Sequence, residues 1–112
     1  MGIVILTKPA TGKELAIAKK DYQTYLKITV DLERKIIAIG GEYHLDGEQL
    51  LIASGSKREN IFGGGLDLET KAIDCNALIN IRPGVNESPE ILDPKIRKKF
   101  ILLAKKFLAK YV

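Results

Sequence analysis

Apolar and polar positions follow three rhythms along this chain, and each predicts an element. Ile3 to Leu6 (IVIL) is a short unbroken apolar run, as a buried strand requires. From Tyr25, the stretch YLKITVDLERKIIAIGG puts Leu26, Ile28 and Val30 at every second position, the pattern of a strand with one buried face. Ile36 to Ile39 is continuously apolar, which predicts a central strand, joined to the first by a tight turn near Glu33 and Arg34. Gly40 and Gly41 then loosen the backbone. After Gly63-Gly64-Gly65, read as a flexible break, LDLETKAIDCNALINIRPG predicts a second strand pair. It turns near Thr70 and ends at Arg82, because Pro83 has no N–H for a ladder.

Helix signals separate these strands. Thr11-Gly-Lys-Glu14 is a capping box, and predicts a helix over about 12–22 with Leu15, Ala18 and Tyr22 inward. Asp46-Gly-Glu-Gln49 has the same form, so Asp46 is read as the cap of a helix through LLIAS that stops at Gly55. Ser56 to Glu59 repeats the pattern and predicts one further short turn. Asp93-Pro94, an N-cap followed by proline, starts a last helix reaching about residue 110. On it Ile96, Phe100, Leu103, Ala104, Phe107 and Tyr111 share one apolar face. The whole reads as a single α+β domain over residues 1–112. It is expected to hold a mixed sheet of about five strands and three helices mainly on one face, in the order β-α-ββα-ββα. Within it Asp31-Leu-Glu-Arg-Lys35 is echoed by Asp67-Leu-Glu-Thr-Lys71, each between apolar strands.

Composition narrows the class. The chain has 112 residues, 46% hydrophobic and 29% charged, the balance of a soluble globular domain. Cys75 is the one cysteine, which excludes an internal disulfide and favours a reducing, cytoplasmic setting. The opening apolar run is too short for a signal-peptide core or a membrane span, and Leu6 stands where N-myristoylation needs Ser or Thr. The net charge of +4 permits an acidic partner without requiring one. Lys95, Lys98, Lys99, Lys105, Lys106 and Lys110 line the outer face of the last helix. No aromatic or arginine interleaves them to stack on bases, so this face is read as solvated and argues against nucleic acid. Arg97 lies near the apolar arc, and should either pair with a carboxylate or point at a shared polar pocket.

The candidate chemistry sits in two clusters. Glu42, His44 and Asp46 share one face if the strand continues past the glycines, with Glu42 and Asp46 roughly 13 Å apart. Metal–ligand bonds span only ~2.0–2.6 Å, so the three do not hold one ion, and no metal or cofactor is expected. With Asp46 used as a cap, Glu42 and His44 remain as a pair. The second cluster is LINIRP, Leu78 to Pro83, where Ile79 and Ile81 should face the core and Asn80 and Arg82 the other side. Asn86 and Ser88 follow in the loop. The Arg82 guanidinium suits a carboxylate or phosphate, or holds the loop through Glu42 or Glu59. Each cluster ends the second strand of a pair; if those two strands run parallel in one sheet, Glu42 and His44 come out at the same edge as Asn80 and Arg82.

GGEYH at 40–44, Asp46 with its Leu-Leu pair, Gly55-Ser56, LINIRP, Asn86 with Ser88, and Asp93-Pro94 with Arg97 resemble a family of small prokaryotic proteins. That family is known as a domain of unknown function. The resemblance runs from about Val30 to Arg97. This chain departs from its pattern at Phe62-Gly63, where Trp-Gly is usual, at Gly65 in place of Asn, and at Asn76-Ala77 in place of Asp-Ser. The resemblance implies a small domain and brings no activity with it. The expected function is a binding or regulatory module for a small anionic ligand or a protein partner. Its candidate residues are Glu42, His44, Asn80, Arg82, Asn86, Ser88 and Arg97. The alternative is a hydrolase-type enzyme with His44 as general base, Glu42 orienting it and Arg82 holding the anion. Ser56 and Ser88 are the candidate nucleophiles. Free strand edges in so small a domain suggest a homodimer, and no membrane partner is expected.

Overall fold

The computed structural model describes residues 2–112. The elements are β1 (Ile3–Leu6), α1 (Gly12–Ala18), β2 (Tyr25–Asp31), β3 (Ile36–Gly40), α2 (His44–Ala53), β4 (Ile61–Asp67), β5 (Ile73–Asp74) and α3 (Pro94–Phe107). Short 3-10 turns lie at Arg58–Asn60, Leu78–Asn80 and Ala109–Tyr111. The five strands form one sheet in the order β1-β3-β2-β4-β5. The α+β class, five strands and three helices agree with the sequence pattern.

All four pairings are antiparallel, where a mixed sheet is expected. The reason lies in which edge was open. β3 is already flanked by β1, so after α2 the chain lays β4 on the free edge of β2. β4 therefore runs in the direction of β3 but neighbours the oppositely directed β2. The expected parallel relation, between the second strands of the two pairs, is absent: three antiparallel steps separate β3 from β5, so they run in opposite directions.

The capping signals do their work. Thr11 accepts the Glu14 N–H and the Glu14 carboxylate accepts the Thr11 N–H, completing the box that starts α1. Asp93 accepts the Lys95 N–H with Pro94 behind it. α1 ends at Ala18, short of the expected residue 22, and leaves Tyr22 exposed. The Asp31–Lys35 and Asp67–Lys71 echo is shared turn chemistry. In each, the aspartate Oδ1 accepts two N–H groups, two and three residues on. Each turn closes on a left-handed lysine, Lys35 at φ 55° and Lys71 at φ 68°.

The main core lies between one face of the sheet and α1 plus α3. Leu26, Ile28, Val30, Ile37, Ile39 and Leu66 meet Phe100, Ala104, Phe107 and Leu108 there, all buried. The helix-period reading of α3 thus holds. The opposite face is covered by α2 over a smaller cluster of Ile36, Ala38, Leu51 and Ile61, so one helix of three departs from the common face. Gly63-Gly64-Gly65 is not a flexible break. It is the middle of β4, paired with Thr29, Ile28 and Lys27. A side chain at Gly64 would strike Phe100, 2.6 Å from its Cζ, while Gly63 and Gly65 keep the other face bare. No helix is long and apolar enough to cross a membrane among the described residues.

The strand expected to end at Arg82 stops after two residues, at Asp74. A 3-10 turn replaces its second half, and Ile81 ends up exposed while Asn80 is fully buried. The Asn80 amide explains the change. It donates to the Gly63 carbonyl at 2.9 Å and accepts the Gly63 N–H at 2.8 Å, taking the two bonds the next strand residue would have made.

Candidate functional site: an open cleft under α2

α2 begins three residues earlier than the capping pattern indicates. Gly40 and Gly41 take φ of +90° and +91° and turn the chain off β3. Tyr43 is the N-cap, with no side-chain cap bond, and His44 is the first helical residue. Asp46 is therefore not the cap. It sits in the first turn, where its charge meets the positive end of the helix dipole. Glu42 lies in the bend before the helix, exposed, and its carbonyl accepts the Tyr22 hydroxyl at 3.3 Å. The extended strand through Glu42, His44 and Asp46 is thus replaced by a bend and a helix start.

The helical spacing then places His44, Gly47, Glu48 and Leu51 on the face that meets the sheet. Gly47 makes the close approach: a Cβ there would lie 2.7 Å from Thr29 Oγ1. Leu51 packs into the small core. His44 and Glu48, one turn apart, face instead into an open cleft of about 830 Å³. Its other walls are Tyr25 and Lys27 of β2, Asp74 and Asn76 at the end of β5, the turn at Ala77, Leu78 and Ile79, and Arg58. Tyr43, Leu45 and Leu78 form an exposed apolar rim.

His44 is held in one orientation. Its Nε2 lies 2.6 Å from the Gly64 carbonyl oxygen. A carbonyl only accepts, so Nε2 carries the hydrogen. The adjacent Cδ2 lies against Gly63, where the missing side chain leaves room for the ring. With the Nε2–Cδ2 edge on the strand, Nδ1 is turned away from it, and no hydrogen bond occupies it among the described residues. Burial holds the imidazole below its ordinary pKa, and the nearby Lys27 charge adds to this; the Gly64 bond and Asp74 oppose it. The ring is a neutral acceptor at neutral pH.

The groups around it carry both signs. Lys27 Nζ sits 5.3 Å from the centre of the Tyr22 ring and 5.7 Å from that of Tyr25, with no carboxylate paired to it among the described residues. The Tyr25 hydroxyl donates to Asp74 at 2.8 Å. Burial, then this carboxylate, pushes its pKa up, so it stays a phenol. The Tyr25 ring fills the space over Gly65. Glu48 is buried, with Oε1 3.6 Å from Arg58 Nε and Oε2 without a hydrogen-bond partner. The sequence reading does not single out Glu48, Lys27, Tyr25 or Asp74. For Glu48 a signal existed: it lies four residues after His44, on the same inward helical stripe as Leu51.

The residues of the second cluster lie apart from this cleft. Asn80 also donates to the carbonyls of Cys75 and Pro89. Asn86 donates to Asn80, Ser88 and Glu90 carbonyls and accepts the Leu92 N–H. The Ser88 hydroxyl accepts the Glu90 N–H, and the Ser56 hydroxyl accepts from Arg34. Arg97 pairs with Glu90 at 3.1 Å, one of its two expected placements. Arg82 donates to the Glu59 and Ile61 carbonyls and stacks 4.3 Å from the centre of Phe62. His44 and Arg82 thus lean on the same strand, at Gly64 and at Ile61, roughly 10 Å apart along it. Burial disfavours the Arg82 charge, and the Glu48 carboxylate partly offsets that. No hydrogen bond joins His44 to Glu42 or Arg82, and no three His, Cys, Asp or Glu converge on a metal position among the described residues.

A family model for the protein of unknown function DUF5674 matches residues 4–107. The chain belongs to the DUF5674 family. The match spans α1 through α3 and all of β1 but Ile3, and includes the whole cleft of this DUF5674 domain. No curated protein and no solved structure matches the chain.

Proposed function

We propose that this DUF5674 domain is a binding module whose cleft takes a small anionic ligand with an apolar body. The observation that carries this reading is Lys27. It is a cation at the wall of the cleft without a protein carboxylate, flanked by two tyrosine rings and facing an exposed apolar rim. A monomer rarely leaves such a combination without a use. The ligand's charge sits at Lys27 and its body on Tyr43, Leu45 and Leu78. Titration of the ¹⁵N-labelled protein with 3-phenylpropionate, compared with the uncharged 3-phenylpropanol, tests this. The carboxylate should bind more tightly and shift amides of residues 25–27, 43–48 and 74–79. Lys27→Met should remove its advantage while changing stability by less than about 0.5 kcal/mol. Equal binding of acid and alcohol, or shifts confined to other surfaces, would sink the reading.

A second reading, the hydrolase, draws support from the neutral His44 with its open Nδ1. Ser56 and Ser88 are engaged elsewhere, so water would be the nucleophile. Ester hydrolysis that rises with pH through a value below that of free imidazole, and is lost in His44→Gln, would favour it over a binding role.

A further inference from the structure

The unused polar groups of the cleft are of two signs, which restricts the ligand further. Lys27 offers a donor. Opposite in character is Glu48, whose side chain is only 5% exposed yet lines the cleft. Its Oε2 accepts nothing among the described residues, although a buried carboxylate oxygen normally accepts at least one hydrogen bond. Its Oε1 is 3.6 Å from Arg58, beyond the ~2.7–2.9 Å of a charge-assisted bond. Arg58 itself is 66% exposed, so it can swing into water without opening the core. Two other carboxylates line the cleft: Asp74 is already taken by the Tyr25 hydroxyl and the Asn76 N–H, and Asp46 lies in the first turn of α2, less buried than Glu48. One turn before Glu48, His44 Nδ1 is a second open acceptor on the same helix face.

Resting on the anion-binding reading above, we propose that the ligand is amphoteric, of the amino-acid type. Its carboxylate meets Lys27. Its ammonium displaces Arg58 from Glu48 and gives a hydrogen bond to His44 Nδ1. Glu48 is the specificity residue, selecting the amine, and Arg58 holds the buried carboxylate while the cleft is empty.

The test compares L-phenylalanine with 3-phenylpropionate, the same molecule without its amine, by ¹⁵N chemical-shift titration of the full chain. L-phenylalanine should bind about tenfold more tightly, the size of one charge-assisted hydrogen bond. Glu48→Gln should erase that preference and leave 3-phenylpropionate binding in place. Arg58→Ala, which removes the competing cation and leaves the fold intact, should widen it. Equal affinities in the wild-type protein, or a preference that survives Glu48→Gln, would overturn the amine assignment while leaving the anion site standing. Failure of both compounds to bind would remove the anion site, and this inference with it.

Discussion

The Asn80–Asn86 loop and the α2 cleft both place polar side chains against β4, and they treat them oppositely. In the loop the two asparagine side chains are fully engaged, and the buried Nε of Arg82 is the one side-chain atom left without a partner among the described residues. Asn80 makes four bonds to three backbone segments and Asn86 makes four more. In the cleft, Nδ1 of His44, Oε2 of Glu48 and the Lys27 ammonium lack hydrogen-bonding protein partners among the described residues. A buried polar network that is fully satisfied stabilises and specifies a fold. One left partly open costs stability, and its retention points to a ligand. Of two polar clusters, the one that looks richer in motif is bonded mostly to backbone, and the one with more open valences is the candidate site.

Substitutions break or sharpen that contrast. Asn80→Ala should do most damage, about 4 kcal/mol in urea unfolding, because it strands the Gly63 N–H and carbonyl and two further carbonyls. A loss under about 1 kcal/mol would show that the loop is not the clamp. Asn86→Ala should cost about 3 kcal/mol, with raised amide exchange confined at first to residues 86–92.

His44 is predicted to report through pH. Unfolding frees the imidazole to take up a proton that burial disfavours, so the unfolded state binds more protons below its ordinary pKa. Stability should therefore fall as pH drops through ~6.5 and continue falling to the lower folded value. His44→Gln should flatten that part of the curve; an unchanged slope would mean the ring is not held neutral. Glu48→Gln should change stability little, within about 1 kcal/mol either way, because the carboxylate's attraction to Arg58 is offset by its burial. A large loss would move Glu48 to the structural side of the comparison.

Much of the architecture was legible along the chain. Alternation in Leu26, Ile28 and Val30, continuity in Ile36 to Ile39, and the 3.6-residue period of α3 each mark a buried face. Thr11, Asp93 and Gly55 mark helix ends. These are local signals, set by backbone geometry and by nearest neighbours. The misplaced start of α2 had a local cause as well: Asp46 fits a cap pattern, but two left-handed glycines turn the chain before reaching it. LINIRP has the apolar content of a strand, yet the Asn80 side chain captures the ladder of β4 at a distance of seventeen residues. No local pattern contains that competition.

What the residues alone determined is the class and most of the element order, the caps of α1 and α3, and the core faces of β2 and α3, because burial and hydrogen bonding impose fixed periods on neighbours in sequence. What only the tertiary structure decided is which polar groups remain unpaired. Lys27, His44 and Glu48 come from a strand and a helix separated by a hairpin. Their partners, or lack of them, depend on β4 laying its bare glycines beneath α2.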